Sequence, residues 1–258
     1  MFGFRTSLPR RIEVMLGMAG LLTFLLIWHL MAISGWVKEQ FLPTPSAVVQ
    51  AFGRLFTESG FAGDILISVG RVWFAFLLSV IVAVPLGLLM SCYRAVGAFV
   101  EPFVDFIRYL PVPAMVPLLI IWFGVGEASK IAVLWMGTFF QLVLLVSDDT
   151  KRVPAEYIES GFTLGASQWQ IIRDIVFPAA LPNIVDNLRI TLGWCWTYLI
   201  IAEIVAASSG IGHMIWSLRR FVKTPEVMAG IVAIGIIGLL TDQAFRLAHR
   251  RGFRYLRA

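Results

Sequence analysis

The chain has 258 residues, 59% hydrophobic and only 14% charged, with a net charge of +5 from 21 Lys and Arg against 16 Asp and Glu. Soluble domains carry about 25% charged and about 45–50% apolar residues, and a spanning helix needs about 20 mainly apolar residues. The composition therefore excludes an ordinary soluble domain, the length holds five or six spans, and the basic excess reports membrane topology with no reason to expect nucleic acid as a partner.

Six apolar segments are predicted in chain order, at about 14–33, 69–91, 103–124, 130–147, 184–207 and 226–247. Arg5, Arg10 and Arg11 precede the first, and Ala32-Ile33-Ser34 resembles a cleavage site. The run from Val14 to Ile33 is longer than the roughly 7–15 apolar residues of a secretory signal, so an uncleaved first span is expected. Next, Phe41-Leu42-Pro43-Thr44-Pro45 reads as an extended entry, after which Val48, Val49, Phe52, Leu55 and Phe56 recur at helical spacing. That pattern predicts an amphipathic helix along the outer face of the membrane.

Pro85 falls in the second span, and Pro111, Pro113 and Pro117 fall in the third. A proline removes a backbone donor and clashes with the preceding turn. In lipid such a break is tolerated only where neighbouring helices or a water-filled cavity satisfy the freed groups. The third span is thus either a kinked packing helix or a broken helix beside a transport pathway. Ser208-Ser209-Gly210 is a stop for the fifth span, and Thr224-Pro225-Glu226 starts the sixth with a cap, a first-turn proline and an acid. Cys92 and Cys195 fit no metal or redox spacing and read as small buried hydrophobes.

With the N-terminus inside, Arg5, Arg10, Arg11, Arg94, Lys151, Arg152, Arg173, Arg246, Arg250, Arg251, Arg254 and Arg257 fall on the inner side, twelve in all. Lys38, Arg54, Lys130, Arg219, Arg220 and Lys223 fall outside, and Arg71, Arg108 and Arg189 sit near span ends. This bias predicts that both termini are cytoplasmic.

The polar stretch 147–178 is well punctuated. Pro154 suits a first helical position, and a short helix should run to about Leu164 with Gly165 as its stop. Ser167 and Gln170 have capping-box spacing, so a second short helix is expected, presenting Trp169, Ile172 and Val176 on one face and ending before Pro178. Gly161, Gly165 and Ala166 keep the turn narrow. Such a pair either docks in a groove on a second protein or packs on its own bundle.

The run Glu159-Ser160-Gly161-x3-Gly165-x9-Ile175-x-Phe177-Pro178 resembles the EAA signature of ABC importer permeases. Its spacing agrees throughout; Ser160 and Gly161 stand for the two alanines and Phe177 for the leucine. Further stretches resemble the nitrate, sulfonate and taurine branch: Leu42-Pro43-Thr44-Pro45-Ser46, Pro117 to Gly126, Glu127-Ala128-Ser129-Lys130, Ala202-Glu203 and Gly210 to Met214. The resemblance implies an all-α polytopic protein, a single permease domain over 1–258, in the bacterial inner membrane. It implies a homodimeric pore for a small polar or anionic solute, above a cytoplasmic ABC ATPase dimer that holds ATP and Mg, with an extracytoplasmic substrate-binding protein delivering the solute. Glu159, Ser160, Gly161, Gly165, Ala166, Ile175, Phe177 and Pro178 would then meet the ATPase.

This chain itself is expected to hold no cofactor and do no catalysis. None of Lys38, Lys130, Lys151 and Lys223 follows a glycine, so no phosphate-cradling GxxxxGK loop exists. His29, His213 and His249 are too scattered for a metal motif, and His29 reads as a packed or snorkelling side chain. Glu203 lies deep in an apolar span, where ionisable groups are usually functional; it either bonds a neighbouring helix or faces the pathway. Arg108, Pro111 and Pro113 are the other pathway candidates, although Arg108 could instead pair with Asp105. The alternative reading, an ion-coupled secondary transporter, would require several such deep groups, and only Glu203 sits so deep.

Overall fold

The computed structural model describes residues 8–206 and 208–253, and all regular secondary structure among them is helical. Arg5, Arg254 and Arg257 lie outside the described residues. The chain forms two compact units, one reaching to Gly60 and including Ile215–Ile231, the other comprising Phe61–Met214 and the residues from Val232 onward.

In the first unit, α1 (Arg10–Ile33) buries only Ala32, so its apolar side chains form a surface suited to lipid. His29 is exposed on it, near the helix end and within reach of the interface. α2 (Pro45–Glu58) forms where predicted, because Thr44 caps it by accepting from the Ala47 N–H at 3.3 Å and Pro45 takes the first position. Val48, Ala51 and Leu55 are buried while Val49 and Phe56 are exposed. Trp28 Nε1 donates to the Pro43 carbonyl at 3.0 Å, and the Thr224 hydroxyl donates to the Gln40 carbonyl at 2.6 Å.

The second unit contains α3 (Phe61–Cys92), α4 (Arg94–Arg108), α5 (Val112–Phe123), α6 (Glu127–Lys151), α7 (Ala155–Thr163) and α8 (Gln168–Val205). Two further helices, α9 (Ile211–Arg219) and α10 (Thr224–Gly252), complete the chain. α3 and α6 run parallel, and α8 returns antiparallel between their two ends. One apolar cluster joins Val72, Phe76, Val116, Leu134, Leu192 and Trp196; the other joins Ala83, Val104, Phe139, Val143, Ala180 and Ile184. Since lipid is as apolar as a core, close packing and polar contacts must hold such helices together. At Gly87 a Cβ would stand 2.7 Å from the Val143 carbonyl oxygen and 2.8 Å from Val146 Cβ, so the α3 backbone packs directly against α6 there. Ser79 and Thr138 pair their hydroxyls at 2.9 Å, and the Asn187 amide donates to the buried Asp149 at 2.6 Å.

Three sequence readings are decided or corrected; for the third span the broken helix is the alternative seen. The third span is two helices, α4 and α5, bent by 103°. Pro111 is extended, with φ −68° and ψ 109°, and a residue before proline is itself driven out of the helical region, so Leu110 cannot continue α4. Pro113 sits in the first turn of α5, where its missing donor costs nothing. Pro85 and Pro117, in contrast, lie inside continuous helices. Counting the bent pair as one gives six spans.

The second correction concerns Pro178. No second short helix ends before it: α8 runs 38 residues straight through Pro178 and Pro182. Ile171–Val176 adopts π geometry, and the Phe177 N–H bonds the Ile172 carbonyl five residues back. A proline ring collides with the carbonyl four residues before it in α geometry; here the preceding turn is already widened. Third, the remaining spans extend beyond the predicted 69–91, 130–147 and 226–247, because polar residues such as Asp64, Glu127 and Thr150 lie within the helices.

Candidate functional site

At one end of the second unit α7 meets α8 through a tight turn. Gly165 has φ +82°, its N–H bonds the Phe162 carbonyl at 2.9 Å, and the Ala166 N–H bonds the Gly161 carbonyl at 3.0 Å. These are the paired bonds of a glycine-terminated helix. Ser167 and Gln170 then form the expected capping box, with the Ser167 N–H donating to Gln170 Oε1 at 2.8 Å. Gly161 is buried against Ile171 and Ile175; a Cβ there would lie 2.6 Å from Ile175 Cδ1. The motif residues Gly161, Gly165, Ala166 and Ile175 thus shape one turn.

Glu159 and Ser160 are exposed on α7, Pro178 is exposed on α8, and Phe177 is half-buried. Trp169 departs from the face expected for it: it is exposed, whereas Ile172 and Val176 are buried. Tyr157, Phe162 and Leu164 are also exposed, Leu164 to 87%. A rigid turn carrying exposed apolar side chains is the kind of surface that a groove on another protein accepts.

A second feature lies at the α4–α5 bend. A cavity of about 430 Å³ is lined by Ile107 to Pro113, by Met136, Gly137, Phe140 and Gln141 of α6, and by Trp194, Thr197 and Tyr198 of α8. It sits at the middle of α6 and in the last third of α8. Arg108, Pro111 and Pro113 therefore share one cavity, as candidates for a pathway should, and Glu203 is not among its walls. The Tyr198 ring lies so close over Gly137 that a Cβ there would overlap it. Arg108 Nε contacts Asp105 Oδ1 at 3.0 Å and its NH2 donates to the Tyr109 hydroxyl at 3.0 Å.

Glu203 belongs to a third feature, at the opposite end of α8 from Gly165. It is fully buried and accepts from Ser68 Oγ at 2.7 Å, Arg71 NH1 at 2.6 Å and the Gly212 N–H at 2.7 Å. Arg71, also buried, grips Glu127 with Nε and NH2, both at 2.7 Å. Its remaining donors reach the Ser209 carbonyl at 2.8 Å and hydroxyl at 3.1 Å, so all five guanidinium N–H groups are used. Lys130 Nζ joins at Glu127 Oε1, 2.7 Å away, and Asp64 accepts the Gly210 N–H at 2.7 Å. Gly210 has φ +106°, and any Cβ on it would overlap the Glu203 carboxylate. The cluster ties α3, α6, α8, residues 208–210 and the start of α9 together.

Of Glu203's two readings, the first describes what is seen: it bonds neighbouring elements. Arg71 and Lys130 were read as an end residue and an outer-loop residue; both are buried because Glu127 and Glu203 supply their counter-charges. Sequence reasoning missed Arg71, Gln141, Trp194 and Tyr198. The signal for Arg71 was an isolated cation inside an apolar run, which demands a partner.

A family model described as binding-protein-dependent transport system inner membrane component matches residues 75–252. The chain belongs to this family. It is a multi-pass permease subunit of an ABC importer. Among relatives, the putative aliphatic sulfonates transport permease protein SsuC of Bacillus subtilis (strain 168) is 34% identical over 225 residues, 87% of this chain and 82% of that one. The taurine transport system permease protein TauC of Escherichia coli (strain K12) is 32% identical over 253 residues, 96% and 91% of the two chains. Among solved structures, an inward-facing MetNI methionine ABC transporter superposes with TM-score 0.66 at 20% identity, over 74% of this chain and 95% of the other. A bacterial alginate importer gives 0.60 at 15% identity, over 94% and 98%; at these identities the likeness is one of fold. Three stretches that carry the permease resemblance, Glu127 to Lys130, Ala202-Glu203 and Gly210 to Met214, converge on the ion cluster.

Proposed function

We propose that this permease works as a homodimer whose α4–α5 cavity is part of the translocation pathway for a small polar or anionic solute, of the sulfonate, taurine, nitrate or bicarbonate class. The α7–α8 turn docks on a cytoplasmic ABC ATPase dimer, which binds ATP and Mg, while this chain holds no cofactor. An extracytoplasmic binding protein delivers the solute. Both termini are cytoplasmic. The inner-side charges Arg94, Lys151, Arg152, Arg173 and Arg250 belong to the Gly165 end of their helices, whereas Arg71 and Lys130, at the other end, are neutralised by Glu127 and Glu203. That sharpens the positive-inside bias.

The observation that carries the reading is the continuity of α8. One helix starts at the docking turn, lines the cavity with Trp194, Thr197 and Tyr198, and ends beside the cluster that holds Glu203. The same cluster weakens an ion-coupled mechanism, since Glu203 is already engaged by Ser68, Arg71 and the Gly212 N–H.

Co-purification with the partner ATPase tests the docking. No atom lies within 4 Å of a Cβ at Gly165, so Gly165→Trp fills space outside the chain. Gly165→Asn, which tolerates the left-handed backbone, is the control. Loss of ATPase binding by the tryptophan variant and its retention by the asparagine variant are expected. Undiminished binding by Gly165→Trp refutes the docking surface.

A further inference from the structure

The walls of the α4–α5 cavity have a one-sided chemistry. Among the described residues Arg108 is the only charged one lining it; Asp105 pairs with the guanidinium but is not part of the wall. Arg108 spends Nε on Asp105 and one NH2 donor on Tyr109, which leaves NH1 with no hydrogen bond among the described residues. Gln141, Trp194 and Tyr198 are half-buried, and within the described residues their side chains make no hydrogen bond. An indole N–H and a phenol O–H left open around one guanidinium make a donor-rich recess. Apart from Thr197 and Gly137, the rest of the wall is aromatic, aliphatic or proline.

We infer that this cavity is an anion-selecting site within the membrane, with Arg108 as its specificity-determining residue, built for a small organic anion with a sulfonate-type headgroup on a short carbon chain. The inference rests on reading the cavity as part of the pathway. A guanidinium with open N–H groups matches a multi-oxygen anion geometrically and electrostatically. Binding sites in transporters are commonly placed near the midplane beside broken helices, and the 103° bend is such a break. The headgroup faces Arg108 with Gln141, Trp194 and Tyr198 completing its hydrogen bonds, and the carbon chain lies against Leu110, Met136 and Phe140. At about 430 Å³ the space falls within the roughly 300–1,000 Å³ of ligand pockets; a bare inorganic oxyanion would leave the apolar wall uncovered. Selection would then be exercised twice, by the delivering protein and by the permease.

The test uses the full permease–ATPase complex in membranes, with Cys92 and Cys195 replaced by alanine and Thr197→Cys introduced as a reporter. The thiol is reacted with 2-sulfonatoethyl methanethiosulfonate and, separately, with its trimethylammonium counterpart. The anionic reagent should react faster, and Arg108→Gln should lower the anionic-to-cationic rate ratio about tenfold, the size of one charge a few ångström away in a partly solvated site. Arg108→Lys should keep most of the preference, and millimolar ethanesulfonate should protect the introduced thiol. Gln141→Cys is the second reporter position should the first disturb assembly. A rate ratio that Arg108→Gln leaves unchanged at both positions overturns the inference. Labelling needs no turnover, so it stays readable even if uptake or ATPase docking fails, and the two readings fail separately.

Discussion

Removing Arg71 should be among the most damaging single substitutions in the second unit. In Arg71→Met, Glu203 stays in a site with no solvent exposure and keeps only Ser68 and the Gly212 N–H as partners. Breaking a buried pair by deleting one member costs about 3–5 kcal/mol, a large part of a total stability of about 5–15 kcal/mol. Glu203→Gln is milder. Arg71 retains Glu127, and the amide keeps two of the three bonds, so about 1–3 kcal/mol is expected for the donor or acceptor left unmatched. With Glu203 already neutral, deleting Arg71 no longer strands a charge. The double variant should therefore fall short of additivity by about 2 kcal/mol. Thermal unfolding of the purified permease in detergent measures this, with Arg71→Met lowering the midpoint by roughly 10 °C. Additive effects, or an Arg71→Met variant within about 1 kcal/mol of the parent, would show that the cluster is no coupled unit.

Two further substitutions test packing and local structure. Gly87→Ala drives a methyl into the Val143 backbone carbonyl at 2.7 Å, whereas Gly161→Ala meets side chains alone, the tip of Ile175 at 2.6 Å and Ile171 Cγ1 at 3.3 Å; the first should cost about 1–3 kcal/mol and the second less, as read by the same unfolding assay. Ser167→Ala removes the reciprocal cap at the start of α8 and should cost about 1 kcal/mol, seen as faster amide exchange of Gln168–Gln170 with the Gly165 turn unaffected.

Features set by local chemistry were legible in the sequence. The Gly165 stop, the Ser167 cap and the break at Pro111 each depend on one or two residues and their neighbours, and each sits where its residue type places it. Long-range pairing was not legible. Arg71 looked like the end of a span only because Asp64 and the residues after it were assigned to a loop; their partners, Glu203 and the Gly210 N–H, lie more than a hundred positions away. The cavity was half visible, through its prolines and Arg108. Gln141, Trp194 and Tyr198 belong to helices whose periodicity says nothing about which face meets a bend elsewhere in the chain. Pro178 misled for a related reason: proline is a stop signal in α geometry, and nothing in its neighbours announces a π turn.

That last difference bears on how the permease can work. Two short helices ending before Pro178 would leave a joint between the docking turn and the fifth span, and movement at the turn would be absorbed there. A continuous helix of 38 residues is about 57 Å long and has no such joint. Its π stretch lies next to the turn, and from Phe177 onward α8 continues as α-helix through Pro182. At the far end Glu203 is held by Arg71, Ser68 and the Gly212 N–H, on groups anchored to α3 and the start of α9. A lever fixed at one end and pushed at the other moves most where it is pushed and progressively less toward its anchor. Trp194, Thr197 and Tyr198 precede Glu203 by only two turns or so, so under the proposed coupling the cavity wall tilts slightly while the docking turn swings widely. Small rotations at Tyr198, whose ring fits over Gly137 with no room for a Cβ, are the displacements that would open or close the space beside Arg108.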